Sequence, residues 1–511
     1  MRTRLLNRRA GKGLVLRSTL NRRQFAIGSA AIMSGGLIGG LVGSRLAQGD
    51  PLRFDRHLPI PPLIDANGQG NAVKLKVSSG RHAFVRGKPT QAYGYSGPVL
   101  GPAIRMRCGD EVQMTVENAL GFDTTVHWHG LLVPGDVDGG PHQVIKPGGT
   151  WRPRLKIDQA ASTAWFHPHL HHDTARQVYM GLTGLIIVDD GSDARLGLPH
   201  TYGIDDVPII IQDRSFDSDG SLLYDREPDP QTIQYGSRGS TIIVNGVVSP
   251  FAKVPSGLVR LRILNAANAQ NFDLRFSDRR EFRVIASDAG FLSTPVPMRQ
   301  LRISPAERFE ILVDFADRKP VMLETGPDTL MGIFGAVSPD GSADFVPIMR
   351  FEPTKMAATV KDFPARLVEP VAADSEKFVR RRQFVLDSGI CGGKRPTEMG
   401  ILPGLCINGK THDLNRIDVE TKLGTLEVWE IVSLGMAHPF HAHGASFRVL
   451  SLAGAPPPAH LAGWKDVVLV EDRAELLVAF SRPATREHPF MYHCHILEHE
   501  DAGMMGQYVC A

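Results

Sequence analysis

No stretch of this chain constrains its fold more than the run His493-Cys494-His495, with His499 and Met504 close behind. In an extended strand, successive side chains leave opposite faces. Cys494 therefore points one way and its two histidine neighbours the other. A thiolate, two imidazoles and a weak axial thioether make a blue-copper electron-transfer site. Cys494, His499 and Met504 provide three of those four donors, with Met504 favoured over Met505 by its register. The rings of His493 and His495 are left for a second centre, joined to the first by a few covalent bonds.

Three further clusters complete both sets: His127-Trp128-His129, His167-Pro168-His169 and His438-Pro439-Phe440-His441-Ala442-His443. On a strand, an i, i+2 pair places two rings on one face roughly 6.5–7 Å apart. That spacing suits neighbouring ions in one cluster. His441 and His443 share a parity that His438 lacks, so His438 joins Cys494. The rings of His127, His129, His167, His169, His441, His443, His493 and His495 then face one centre. His438, Cys494, His499 and Met504 form the other. With eight ligands placed, His171 and His172 read as supporting or surface residues. His57, His82, His200, His412, His460 and His488 stand alone and read as ordinary histidines.

The rest of the chain is an all-β sequence. At 511 residues it is too long for one core and suggests three domains. Its 52 glycines and 36 prolines punctuate short apolar runs such as Val207–Ile211, Val259–Leu264 and Asp466–Val470. That is the pattern of many strands joined by turns. Three tandem Greek-key β-sandwiches of the cupredoxin type fit it. The expected boundaries are 51–190, 200–352 and 378–511, with a linker rich in Pro, Ala, Lys and Glu at 353–377. No ligand candidate falls between 170 and 437, so the cluster must be clamped between the first and third domains. The middle domain is expected to be a spacer.

Residues 1–47 are expected to lie outside that fold. They carry nine Arg/Lys and no Asp or Glu. Asn21-Arg22-Arg23-Gln24-Phe25 resembles a twin-arginine (Tat) export signal, and an uncharged Gly/Ala/Ser-rich stretch follows from Gln24 to Ser44. Six glycines in that stretch argue against a membrane anchor. The expectation is export to the periplasm by the Tat machinery, with cleavage near Ala47. The remainder holds 48 basic against 54 acidic residues. A mildly acidic mature chain offers no surface to nucleic acid. A monomer is expected.

The four clusters occur in this order, surrounded by Val133-Pro-Gly-Asp-Val-Asp138-Gly-Gly-Pro, Gly463-Trp-Lys-Asp466 and His499-Glu-Asp-Ala-Gly-Met-Met505. Together they resemble the multicopper oxidases, most closely the bacterial copper-efflux oxidases and laccases. The resemblance implies four copper ions. The type 1 ion would take His438, Cys494, His499 and Met504, and the type 2 ion His127 and His441. One type 3 ion would take His129, His167 and His495, and the other His169, His443 and His493. It also implies one-electron oxidation of a small-molecule or metal-ion donor, coupled to four-electron reduction of dioxygen to water. Asp138 and Glu500 match acidic residues that the family uses near the cluster for proton delivery and hydrogen bonding. Copperless relatives serve as cell-division scaffolds, but no ligand position is missing here.

The donor is less constrained. Phenols, aromatic amines, bilirubin-like pigments, Cu(I) and Fe(II) are all candidates. Copper-efflux oxidases carry a methionine-rich insert over the type 1 site, whereas 353–437 holds only Met356, Met399 and Met436. Leu434 stands where the family's substrate-copper site has a carboxylate. A weakened Cu(I) site and an open type 1 edge are expected, hence a laccase-like enzyme. A dedicated periplasmic cuprous oxidase is the alternative. Cys391 and Cys406 can form a disulfide across a Gly/Pro-rich loop in an oxidising compartment. Cys108 and Cys510 can pair only if the C-terminal strand reaches the first domain.

Overall fold

The computed structural model describes residues 53–225, 228–328, 345–369, 377–397 and 400–511, excepting the side chains of 389–404. The export signal expected at 1–47, Met399 and the Cys391 side chain lie outside the described residues. Among the described residues the strands form six sheets. Two sheets close over each of three apolar cores, centred on Ile104 and Ile186, on Leu261 and Ile311, and on Trp429 and Phe440. Three tandem cupredoxin-like sandwiches result.

The runs read as strands are strands. Val207–Ile211 lies in Asp206–Arg214, buried at every position and paired in parallel with Leu258–Asn265. A continuous apolar run is what a strand covered on both faces requires. In Leu258–Asn265 the apolar side chains Val259, Leu261 and Ile263 enter the middle core. The alternate face carries Arg260 and Arg262, which are buried as well, against the first domain. Arg262 reaches Asp206 at 2.7 Å, Glu310 at 3.0 Å and the Thr163 hydroxyl at 3.0 Å. Arg260 pairs with Glu310 and, at 2.8 Å, with Asp193. Such partners are what make a buried guanidinium tolerable.

Three details depart from the sequence reading. Arg56–His57 pairs with Pro250–Ser256, so the first described strand joins the middle sandwich rather than the first. Strand Val346–Ala357 runs into the stretch read as linker. Cys510 ends the strand Met505–Cys510, which pairs with Val419–Thr421 and Phe490–Cys494 inside the third sandwich. It therefore does not reach Cys108, and both thiols are free. Cys406 is disulfide-bonded.

Candidate metal centres

Two short antiparallel strands, His438–Ala442 and Phe490–Cys494, build the core of the site. Phe440 stands opposite Cys494, and His441 opposite His493. Cross-strand partners share a face. Cys494, Phe440 and, by parity, His438 therefore face the third core, while His441 and His493 face away. The Cys494 sulfur lies 3.4 Å from His438 Nδ1 and 3.6 Å from His499 Nδ1. The Ile496 N–H donates to the same sulfur at 3.4 Å. Met504 belongs to the core that holds Cys494. Met505 stands opposite His493 in the next strand, and so on the other face.

The second group is a nest of eight imidazoles, none more than 1% exposed. His127 and His167 meet at a single isolated bridge, with N–H···O distances of 2.8 and 3.2 Å in the two directions. The His-x-His pairs of the first sandwich thus sit on one bridge and not on regular strands. Ring separations within the four pairs are 5.6, 6.2, 5.0 and 5.4 Å, shorter than strand geometry implies. His169 Nε2 and His443 Nε2 come within 3.3 and 3.2 Å of His493 Nε2. His127, His129 and His167 form a second convergent trio, and His127, His441 and His443 a third. The His495 ring lies 5.1 Å from that of His129 and 5.3 Å from that of His167.

Carboxylates line the outer nitrogens, and the Cys494 carbonyl accepts from His493 Nδ1 at 3.0 Å. Asp138 Oδ2 accepts from His443 Nδ1 at 2.7 Å, and Glu500 places one oxygen 3.3 Å from His169 Nδ1 and the other 3.3 Å from His493 Nδ1. The three Nε2 atoms of this trio converge, with an oxygen atom near each outer nitrogen, as is usual for metal-bound histidine. Both predicted acidic residues are in place. A third, Asp466, had been seen only as part of a motif. Its Oδ1 lies 3.2 Å from His129 Nε2, and its carbonyl accepts from His441 Nδ1 at 2.7 Å. Arg308 of the middle sandwich grips both Asp466 oxygens at 2.6 Å and donates to the Thr163 carbonyl of the first at 2.9 Å. The middle sandwich is therefore more than a spacer. Nothing local in the sequence marks Arg308.

The donor set fits copper. Burial first, then neighbouring imidazoles, holds His129, His167, His169, His441 and His443 well below the ordinary imidazole range. Burial lowers His438 to about 4 and His493 to about 3. These rings are neutral at pH 7 and present lone pairs. His127 Nε2, His441 Nε2 and both nitrogens of His495 are buried with no hydrogen-bond partner, a costly state in a dry interior that a bound cation relieves. Burial also pushes the Cys494 thiol up, and a metal ion is what restores a buried thiolate.

Among the described residues the edge of the His499 ring is covered, where an open edge was expected. His499 Nε2 donates to the Gln234 carbonyl at 3.0 Å. Gln234 sits on the one-turn helix Pro230–Tyr235, started by Asp229, whose carboxylate accepts from the Gln231 and Thr232 amides. This helix covers the ring. Leu434 is exposed, and Met436 packs against the third core. Asp387 stands across the strand pair from Leu434 and raises the proton affinity of His438 against the larger effect of burial. A carboxylate of the neighbouring strand thus lies near His438.

Comparisons with known proteins agree with this geometry. Three family profiles described as multicopper oxidase match residues 76–193, 216–321 and 386–511. A laccase-like multicopper oxidase, CueO, from a lignin-degrading Ochrobactrum species has a solved structure with TM-score 0.81 and 46% identity, covering 89% of this chain and all of that one. The multicopper oxidase mco of Staphylococcus aureus is 36% identical over 88% of this chain and 92% of its own. The cell division protein FtsP of Pectobacterium atrosepticum is also 36% identical, over 96% of this chain and 99% of its own. The family binds four copper ions, one type 1, one type 2 and two type 3, and couples oxidation of a donor to reduction of dioxygen. This chain belongs to the multicopper oxidases.

Proposed function

We propose that the enzyme is a laccase-like oxidase of broad donor range, taking single electrons from phenols, aromatic amines and Cu(I) and reducing dioxygen to water. His438, Cys494, His499 and Met504 hold the type 1 copper. His127 and His441 hold the type 2 ion. The two type 3 ions take His129, His167 and His495, and His169, His443 and His493. The coppers contribute one-electron redox chemistry and dioxygen binding. The observation that carries the reading is the three-residue link: Cys494 in one donor set, with His493 and His495 flanking it in the other.

The residues around the cluster have separate tasks. Asp138 holds the tautomer of His443, and Glu500, beside His169 and His493, is suited to carry protons inward. Burial and the neighbouring Asp501 carboxylate keep it well above the usual carboxylate range. On the donor side, a phenol seated against Pro230–Tyr235 is one hydrogen bond, Gln234 carbonyl to His499, from the type 1 ligands. The covering helix therefore does not close the route to organic donors. The complete ligand set argues against the scaffold role suggested by the FtsP relatives. Export by the Tat pathway to the periplasm, as a monomer, completes the proposal.

The test is steady-state oxygen uptake with 2,6-dimethoxyphenol and with Cu(I), without and then with excess Cu(II). Turnover on the phenol without added copper is expected. Phenol turnover that begins only after copper is added would identify a dedicated cuprous oxidase. A copper-replete protein that consumes no oxygen with either donor would identify a scaffold.

A further inference from the structure

The seam between the first and middle sandwiches holds an open cavity of about 300 Å³. Tyr93, Phe122, Arg176 and Met180 line it from the first sandwich, and Leu222 and Tyr224 from the middle one. Aromatic rings, a thioether and an isobutyl group make most of its walls apolar. Small organic ligands bind in cavities of this kind, where a few placed polar groups fix their orientation. None of these six residues belongs to a copper site.

The polar groups select the charge of a ligand. Arg176 donates to both Asp173 oxygens, at 2.6 and 2.5 Å, so its charge is already matched. Its guanidinium lies over the Phe122 ring at 4.4 Å and donates to the Tyr93 hydroxyl oxygen at 3.2 Å. Among the described residues the lining holds no other cation, and an anion finds no counter-charge there. Tyr93 accepts from Arg176 and keeps its own hydroxyl proton to donate. A neutral aromatic ring bearing an oxygen fits, with Phe122 and Tyr224 against the ring and Tyr93 toward the oxygen. Beyond Met180 and Leu222 a polar cavity continues past Thr90 and Gln91, which leaves room for ring substituents.

Tyr224 joins this cavity to the type 1 site. Its hydroxyl donates to Glu498 Oε1 at 3.3 Å. Asn268 Nδ2 donates to the same oxygen at 2.8 Å and to the Ala175 carbonyl at 3.0 Å, which fixes the carboxylate in place. The Tyr179 ring packs on that of Tyr224 at 4.7 Å. Glu498 is 1% exposed, and the next residue in the chain is His499. One hydrogen bond, then the side chain and backbone of Glu498, lead from the cavity wall to a type 1 ligand.

We propose, resting on the laccase-like reading, that this cavity is a second subsite for phenolic donors and feeds the type 1 copper through Tyr224, Glu498 and His499. This route is separate from the one through Gln234. A phenol seated in the cavity gives up one electron and the proton of its O–H bond, and leaves as a phenoxyl radical. The proton passes to water at the open mouth. The electron reduces type 1 Cu(II) to Cu(I). Tyr224 serves as a bridge and changes neither its oxidation state nor its protonation.

The test uses the copper-loaded full chain and 2,6-dimethoxyphenol. With the coppers reduced and oxygen excluded, the phenol cannot react, and its binding is read by equilibrium dialysis. With the coppers oxidised, anaerobic bleaching of the blue band is followed by stopped flow, with Cu(I) as the reference donor. Leu222→Trp fills the cavity. It should remove one bound equivalent of phenol and slow bleaching by phenol several-fold relative to bleaching by Cu(I). Tyr224→Phe keeps the ring and loses only the bond to Glu498. It should leave that equivalent bound yet slow phenol bleaching relative to Cu(I), and it decides the matter if Leu222→Trp fails to fold. Binding and a bleaching ratio indifferent to both substitutions would overturn the subsite and leave the laccase-like reading standing. Bleaching slowed equally for both donors would also overturn it, because the effect would then lie in the type 1 site. Wild-type protein that binds the phenol but is bleached only by Cu(I) would overturn the laccase-like reading and the donor role with it.

Discussion

Removing the Arg308 guanidinium tests whether the middle sandwich helps hold the copper cluster. Arg308 is fully buried, with two bonds of 2.6 Å to Asp466 and further bonds to the carbonyls of Thr163, Ala306 and Asp288 at 2.9, 3.1 and 3.1 Å. Arg308→Met keeps much of the volume and leaves the buried Asp466 carboxylate without its guanidinium, with His129 Nε2 at 3.2 Å and His441 Nδ1 at 3.9 Å beside it. Breaking a buried pair in this way costs about 3–5 kcal/mol. Arg308→Lys keeps the charge but not the fork, and about 1–3 kcal/mol is expected. The assay is the first guanidinium-induced transition followed by tryptophan fluorescence. Adding Asp466→Asn to Arg308→Met removes the stranded charge and should recover at least about 2 kcal/mol, a coupling typical of residues in one network. If Arg308→Met is within about 0.5 kcal/mol of wild type, or Asp466→Asn recovers nothing, the clamp is not what stabilises this interface.

Cys494→Ser should abolish the blue absorbance and oxidase activity while most cluster copper remains; a blue, active variant would refute the type 1 assignment. Met504→Leu should raise the type 1 reduction potential, because a thioether favours Cu(II), while Met505→Leu, on the opposite face, should leave a redox titration nearly unchanged. Glu500→Gln keeps the shape near His169 and His493 but cannot carry a proton. Oxygen uptake at saturating donor should fall, with anaerobic bleaching of the blue band by donor unaffected. Arg22→Lys with Arg23→Lys should hold the precursor in the cytoplasm in a fractionation assay, since this signal is read by a receptor.

The grouping of the candidate donors was legible because their arrangement follows from backbone period. Alternation along His493-Cys494-His495, and the parity of His438 against His441, assign faces before any tertiary contact exists. Even so, the His127 and His167 pairs are held by one bridge rather than strands. The rule succeeded there because a short extended segment is enough to alternate. Asp138 and Glu500 were found through motif resemblance. Asp387 was not, because its nearness to His438 comes from strand register, 47 residues upstream of Leu434.

What the sequence determined by itself is therefore what is local: strand faces, sandwich count and the two donor sets. The tertiary structure decided how those sandwiches cover one another. Arg260 and Arg262 alternate with apolar residues as on a strand with one wet face, yet docking of the first sandwich dries that face. Helix Pro230–Tyr235 closes over His499 from 265 residues away, and Arg308 reaches Asp466 across 158. Backbone period carries no information about which distant surfaces meet. That choice belongs to the burial of whole faces and to the pairing of charges that burial forces together.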